Sequence, residues 1–239
     1  MKIAIIGYGK MGKTIENLSS KFGHQVTARI NSTSGREEWE KVSRADVAIE
    51  FTQPDAAFDN IARCLEMGVS VVCGTTGWYH RLQEIKPLLN ESNSALFYAS
   101  NFSIGVQIFW QVNKYLARLM ANHPDYKVYL SEIHHTEKKD KPSGTAVTTA
   151  EQIISTHPGY EGWHLTEEKL SQNSIPINAL RKDDVKGIHE VKYDSAIDCI
   201  TIGHEAKSRD GFANGAIRAA EFIMGKTGIY TMDDLMGWE

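Results

Sequence analysis

The chain has 239 residues, of which 41% are hydrophobic and 23% charged, with a formal net charge of -4. These values fit a globular protein of one large domain or two modest ones, and they exclude a basic nucleic-acid binder. No apolar run approaches the roughly 18 residues that cross a bilayer.

Cys64, Cys73 and Cys199 show no metal-like spacing, and so sparse an odd set points to a reducing compartment. The first strand pattern begins at residue 2 and leaves no room for a leader, so a cytoplasmic protein is expected.

Lys2 to Ile6 is a continuous apolar strand of the kind buried on both faces of a parallel sheet. It runs into Gly7-Tyr8-Gly9-Lys10-Met11-Gly12, a GxGxxG, and Met11, Ile15, Leu18 and Phe22 then follow helical spacing. Between a strand and a helix that pattern reads as a dinucleotide site. Gly7 makes the turn, Gly9 admits the pyrophosphate and Gly12 lets helix meet strand.

The next strand, His24 to Ile30, ends without the acidic residue that usually holds the adenine ribose. Asn31 can bond a ribose there, and Arg29, Ser32, Thr33 and Arg36 are candidates for a 2′-phosphate. NADPH, or both NADPH and NADH, is the expected cofactor.

The βαβ rhythm continues with a strand over 46–51, a helix over 54–67, a strand over 69–73, a helix over 79–91 and a strand over 95–99. Gly74, Thr75 and Thr76 lie after one strand end, and Ala99, Ser100, Asn101 and Phe102 after another. Ligands bind at such carboxyl ends in open α/β sheets.

Further on, residues 106–120 read as a helix with Ile108, Val112, Tyr115, Leu116 and Leu119 on one side. Tyr126 to Ile133 alternates as a strand, and Ser143 is a good N-cap for a helix over 144–154. Residues 157–174 lack a period and read as an irregular connection. Strands are expected over 175–180, 187–193 and 196–204, forming a mixed or antiparallel sheet packed as α+β. A helix over 212–224 closes the pattern and is expected to return to the first sheet. The domains are therefore placed at 1–104 with 213–239, for the dinucleotide, and at 105–212, for substrate and oligomerisation.

The densest chemistry lies in Glu132-Ile-His-His-Thr-Glu-Lys-Lys-Asp-Lys-Pro-Ser-Gly-Thr-Ala146. A solvated loop is the ordinary meaning of such charge. Here it follows a strand and precedes a capped helix, so Gly144 and Thr145 offer N–H groups at a positive helix end that suits a carboxylate. His134 has an ordinary pKa suited to proton exchange, and nearby lysines should lower it. A zinc site from His134, His135 and Glu137 is disfavoured, because adjacent strand residues face opposite ways and the lysines repel a cation. No metal is expected.

These motifs, together with Glu50-Phe-Thr-Gln-Pro54, Gly74-Thr-Thr-Gly77 and Ser208-Arg-Asp-Gly-Phe-Ala-Asn-Gly-Ala216, resemble the 4-hydroxy-tetrahydrodipicolinate reductase (dihydrodipicolinate reductase) family over nearly the whole chain. The resemblance implies a Rossmann-type domain plus an α+β domain. It implies NAD(P)H-dependent reduction of a dicarboxylate in lysine and diaminopimelate biosynthesis, and a homotetramer built through the C-terminal sheet. His134 stands where the family has its catalytic histidine and Lys138 where it has a proton-donating lysine. His135, Gly144 and Thr145 fall at the substrate carboxylates, and the helix start from Ser143 to Thr145 is read, with His135, as orienting two carboxylates. Residues 7–12, 74–76 and 99–102 fall at the cofactor. Two departures stand out: the residues after the second strand, and a shorter segment between about 156 and 187.

Two other readings share parts of this pattern. An aspartate dehydrogenase-like enzyme would share the first half but would not need the 132–146 stretch. A non-catalytic nucleotide sensor would need only the glycine turns.

Overall fold

The computed structural model describes residues 1–168, 173–208 and 210–238. It divides into two compact units, Met1–Ile104 with Asp210–Glu239, and Gly105–Arg209.

The first unit is a six-stranded parallel sheet. Its strands are β1 (Lys2–Ile6), β2 (Gln25–Ile30), β3 (Val47–Glu50), β4 (Ser70–Cys73), β5 (Ala95–Tyr98) and β11 (Gly228–Tyr230), in spatial order β11-β5-β4-β3-β1-β2. Helices α1 (Lys10–Lys21), α2 (Arg36–Glu40), α3 (Pro54–Glu66), α4 (Leu82–Ser92), α7 (Asp210–Phe222) and α8 (Met232–Met236) complete it.

Strand β1 shows why the sheet is buried on both sides. Ala4 and Ile6 join one apolar cluster with Ile61, Leu65 and Ile85, while Ile3 and Ile5 join the other with Ile15, Ile217 and Ile223. Alternate residues face opposite ways, so both faces must be apolar. Each fully buried isoleucine contributes about 1.5–3 kcal/mol. Helix α7 reaches this sheet because its small residues Ala213, Ala216, Ala219 and Ala220 leave no bulk between helix and strands. The short α2 and β11 have no counterpart among the expected elements. Each is too brief for a periodic signal.

The second unit is a five-stranded mixed sheet. Its strands are β6 (Lys127–His134), β7 (Gly162–Leu165), β8 (Ser174–Arg181), β9 (Ile188–Asp194) and β10 (Cys199–Glu205), in order β10-β9-β6-β8-β7. Helices α5 (Ile104–Met120) and α6 (Gly144–Ile154) accompany it. Strand β6 pairs parallel with β8 and antiparallel with β9.

One face of this sheet is core: Val128, Leu130, Ile175, Ile177, Val191 and Tyr193 pack with residues of α5 and α6. Two expectations change here. Strand β7 lies inside the 157–174 segment read as irregular; it is four residues long and is held by parallel pairing to β8, a long-range contact without a local period. Residues 169–172 of that segment lie outside the described residues, as does Arg209 of the 208–216 motif. In α5 the buried residues are Val106, Gln107, Phe109, Trp110, Asn113, Ala117 and Met120. The stripe Ile108, Val112, Tyr115 and Leu119 is about half exposed instead. Among the described residues no helix is long and apolar enough to cross a membrane.

Candidate functional site

In the first unit, β1 delivers the chain into the glycine turn. Gly7 has φ +96°, and a Cβ there would lie 2.0 Å from the Phe51 carbonyl oxygen. A Cβ on Gly12 would lie 2.5 Å from the Gly7 oxygen. Both glycines are forced by packing. Gly9 differs: a Cβ there would meet nothing within 4 Å, and Gly9 begins α1 without a side-chain cap. Open space beside a helix start is what a pyrophosphate requires.

Two adjoining cavities meet at Gly7 and Gly9. One, of about 390 Å³, includes Lys10, Met11, Gly74, Thr75 and Thr76. The other, of about 570 Å³, includes Tyr8, Asn31, Ser32 and Ser34. The 74–76 turn is held by Thr75, whose hydroxyl oxygen accepts from Thr52 N–H at 2.8 Å and whose carbonyl accepts from Trp78 Nε1 at 2.9 Å. Gly74 passes against the Phe51 ring, where a Cβ would lie 2.1 Å from a ring carbon. The residues present therefore fit a dinucleotide.

Ala99, Ser100, Asn101 and Phe102 follow the end of β5. Asn101 Oδ1 accepts from Ser103 N–H at 2.8 Å, which shapes that turn, and Phe102 is core, 5.8 Å from the Phe97 ring. The region after β2 is arranged differently from the simplest expectation. The Arg29 guanidinium is bound to Glu16, with Nε donating at 3.1 Å and a second, shorter bond from its other end. Arg36 pairs with Glu40, and Asn31 Oδ1 accepts from Thr33 N–H at 2.9 Å in an Asx turn. The basic group lining the larger cavity is Arg63 of α3, stacked 4.0 Å from the Trp39 ring centre. An arginine 33 residues beyond the end of β2 (30 to 63) gave no local signal.

In the second unit the register of the sheet builds a buried polar cluster. Glu132 and His134 are two apart on β6 and share a face. Antiparallel pairing sets His189 opposite Glu132, and parallel pairing sets Arg181 opposite His134. His134 Nε2 lies 3.2 Å from His189 Nε2, and each is 3.6 Å from Glu132 Oε2. Ser143, the N-cap of α6, donates its backbone N–H to Glu132 at 3.0 Å, and its hydroxyl lies 3.1 Å from His189 Nε2. Arg181 Nη1 donates to Glu132 Oε1 at 3.2 Å, and Nε donates to the Lys138 carbonyl at 3.2 Å. Its Nη2 reaches the Asp140 carbonyl. One guanidinium thus ties the 138–140 loop to the buried carboxylate.

The electrostatics follow. Burial raises the Glu132 pKa, but hydrogen bonds from His189 and Ser143 and the nearby His134 outweigh it and hold the carboxyl down at about 2. Burial is the first cause lowering His134 to about 4; His189 adds to it, Glu132 opposes, and Lys138 and Arg181 contribute less. The lowering matches the sequence expectation in direction, but its main cause is desolvation rather than the lysines. His134 is therefore neutral at pH 7.

The remaining candidates lie around this cluster. Lys138 Nζ sits 2.7 Å from Asp140 Oδ2. His135 follows the end of β6 and, with Thr136, Asp183 and Lys186, lines a cavity of about 410 Å³. Ser143 caps α6 by accepting from Ala146 N–H at 3.2 Å, and a Cβ on Gly144 would meet nothing within 4 Å, so there is space beside Gly144 at the start of α6. Ser143, by contrast, spends its backbone N–H and hydroxyl on Glu132, His189 and the cap.

Glu132, Arg181 and His189 escaped the sequence reading. Only the first had a local signal, the Glu-x-His spacing that puts two titratable groups on one strand face. Glu132, His134 and His189 each offer an atom within 4.8 Å of the others, a set different from the His134, His135 and Glu137 weighed above. The Arg181 guanidinium on Glu132 opposes a cation there.

A GxGxxG turn at the start of a helix, at the end of the first strand of a parallel sheet, marks a dinucleotide-dependent protein. The chain belongs to the dihydrodipicolinate reductase family: residues 1–102 match the family's model for "Dihydrodipicolinate reductase, N-terminus" and residues 105–236 that for its C-terminus. The 4-hydroxy-tetrahydrodipicolinate reductase of Christiangramia forsetii is 44% identical over 99% of this chain and 98% of its own. That of Staphylococcus haemolyticus is 33% identical over 98% and 100%. Among solved structures, a dipicolinate-bound dihydrodipicolinate reductase from Paenisporosarcina sp. TG-14 superposes with a TM-score of 0.75 at 24% identity over 98% of both chains, a likeness of fold. The cofactor class is NADH or NADPH.

Proposed function

We propose that this chain reduces 4-hydroxy-tetrahydrodipicolinate to tetrahydrodipicolinate in lysine and diaminopimelate biosynthesis. The observation that carries the reading is the full-length 44% identity to a reductase of that name, and the second unit supplies suitable chemistry. The reaction adds one hydride and one proton and releases water. When bound, the reduced nicotinamide supplies the hydride.

Gly7, Tyr8, Gly9, Lys10, Met11, Gly74, Thr75 and Thr76 hold the dinucleotide, with Ala99 to Phe102 completing that role at the next strand end. Gly12 serves by packing. NADPH is accepted at least as well as NADH; the support is the absence of a carboxylate directly after β2 and the presence of Arg63 in the cavity with Asn31 and Ser32.

The N–H groups of Gly144 and Thr145, with His135, hold the substrate carboxylates. Lys138 supplies the proton, because its side chain is an N–H donor on a loop that Arg181 fixes through the Lys138 carbonyl. His134 faces the developing negative charge. Ser143 acts behind them through the cap and Glu132.

The enzyme works as a homotetramer in the cytoplasm. Half-exposed Tyr129 and Leu180 on the outer face of the second sheet support self-association. Free Cys64, Cys73 and Cys199 support a reducing compartment. Oxidation of NADPH and NADH with freshly made substrate tests the activity, and pyridine-2,6-dicarboxylate should compete with that substrate. No oxidation, with either cofactor, would contradict the reading.

A further inference from the structure

The His134 and His189 rings meet Nε2 to Nε2 at 3.2 Å, so at most one of the two nitrogens carries a hydrogen. His189 decides which. Its Nδ1 is buried and has no hydrogen-bond partner among the described residues. A hydrogen on that Nδ1 would be a buried donor without an acceptor, which costs about 1–3 kcal/mol. A hydrogen on His189 Nε2 instead finds acceptors on three sides: His134 Nε2, Ser143 Oγ at 3.1 Å and Glu132 Oε2 at 3.6 Å. His189 is therefore the Nε2–H tautomer.

Two N–H groups cannot face each other across that distance, so His134 Nε2 is bare and its hydrogen sits on Nδ1. The opposite edge of the His134 ring is kept clear by a glycine. A Cβ on Gly187 would lie 2.9 Å from His134 Cε1 and 3.4 Å from Nδ1.

We propose that His189 and Glu132 are positioning residues that fix the tautomer of His134, so that His134 acts as a neutral hydrogen-bond donor through Nδ1 and keeps its proton. This deepens the reductase reading and rests on it for the role of His134 in the reaction. Glu132 orients the Nε2–H of His189 and is itself held by Ser143 and Arg181. His134 Nδ1–H then steadies negative charge as it develops, while the transferred proton comes from Lys138. A fixed donor of this kind needs no reorganisation as charge develops.

The test has a spectroscopic and a kinetic arm. Long-range ¹⁵N–¹³C spectra of histidine-labelled protein at pH 7, assigned by comparison with His134→Asn, should show Nδ1–H for His134 and Nε2–H for His189. In steady state, His189→Phe should lower kcat roughly 10- to 100-fold with KM within about 3-fold, because His134 loses its orientation. His189→Gln, whose amide N–H can still donate to Nε2, should recover most of that loss. An Nε2–H signal for His134 would overturn the proposal. So would equal losses in the Phe and Gln variants with a raised KM, the mark of a packing role. The spectrum needs no substrate, so an inactive wild type, which sinks the reductase reading, is told apart from a wrong tautomer.

Discussion

Arg181 donates from Nη1 to Glu132 Oε1 at 3.2 Å, joining the end of β8 to a carboxylate with no exposed surface. The same guanidinium holds the carbonyls of Lys138 and Asp140. Removing it leaves a buried charge short of a partner and releases the loop that carries Lys138. Arg181→Met should therefore destabilise the protein by about 3 kcal/mol and lower kcat by roughly 10-fold. Urea unfolding and steady-state rates check both. A loss below about 0.5 kcal/mol, the scale of a surface change, would show that the pair does not secure the cluster.

The cofactor assignment separates two arginines. Arg29 is bound to Glu16, whereas Arg63 lines the cavity with Asn31 and Ser32. Arg63→Ala should raise KM for NADPH roughly 10-fold and leave KM for NADH within about 3-fold, as expected when one charged contact to a phosphate is lost. Arg29→Ala should change the ratio little. Asn31→Asp should turn preference toward NADH by repelling a 2′-phosphate. A ratio that moves with Arg29 and ignores Arg63 would reverse the roles.

Much of the first unit was legible in the sequence. Strands such as Lys2–Ile6 are apolar on both faces, and each ends in a polar or glycine turn, so their type and their ligand rim can be read locally. The second unit was legible only in part. His134 and Lys138 lie in one conspicuous stretch, but His189 is 55 residues from His134 and reaches it through strand pairing. Arg181 arrives by a parallel register that no local pattern announces. In α5 both faces are apolar, so periodicity shows a helix but does not choose between Phe109 and Ile108 as the inward side. Arg29 looked available because Glu16, its partner, lies on the preceding helix.

Acid should destabilise the protein in two windows. His134 has an ordinary pKa of 6.5 when unfolded and about 4 when folded, so the unfolded chain binds the extra proton between those values. Its contribution is complete above pH 6.5 and is lost as pH falls toward 4, by about 3 kcal/mol. Glu132, lowered to about 2, contributes above pH 4.5 and loses that contribution as pH falls toward 2. Burial also lowers the pKa values of His157 and His204, and both are retained in His134→Asn. Urea unfolding at pH 7 and pH 5 should show a smaller drop for His134→Asn than for wild type. Equal drops would mean that His134 is not held neutral.

His134 and Lys138 are proposed to serve the chemical step while the glycine turns of the first unit hold the cofactor. Steady-state turnover of His134→Ala and Lys138→Ala, measured beside NADPH binding by cofactor fluorescence, tests it most directly. Each substitution should cut kcat by roughly 100-fold or more and leave NADPH binding within a few-fold of wild type. Loss of NADPH binding in His134→Ala together with full turnover in Lys138→Ala would contradict the account.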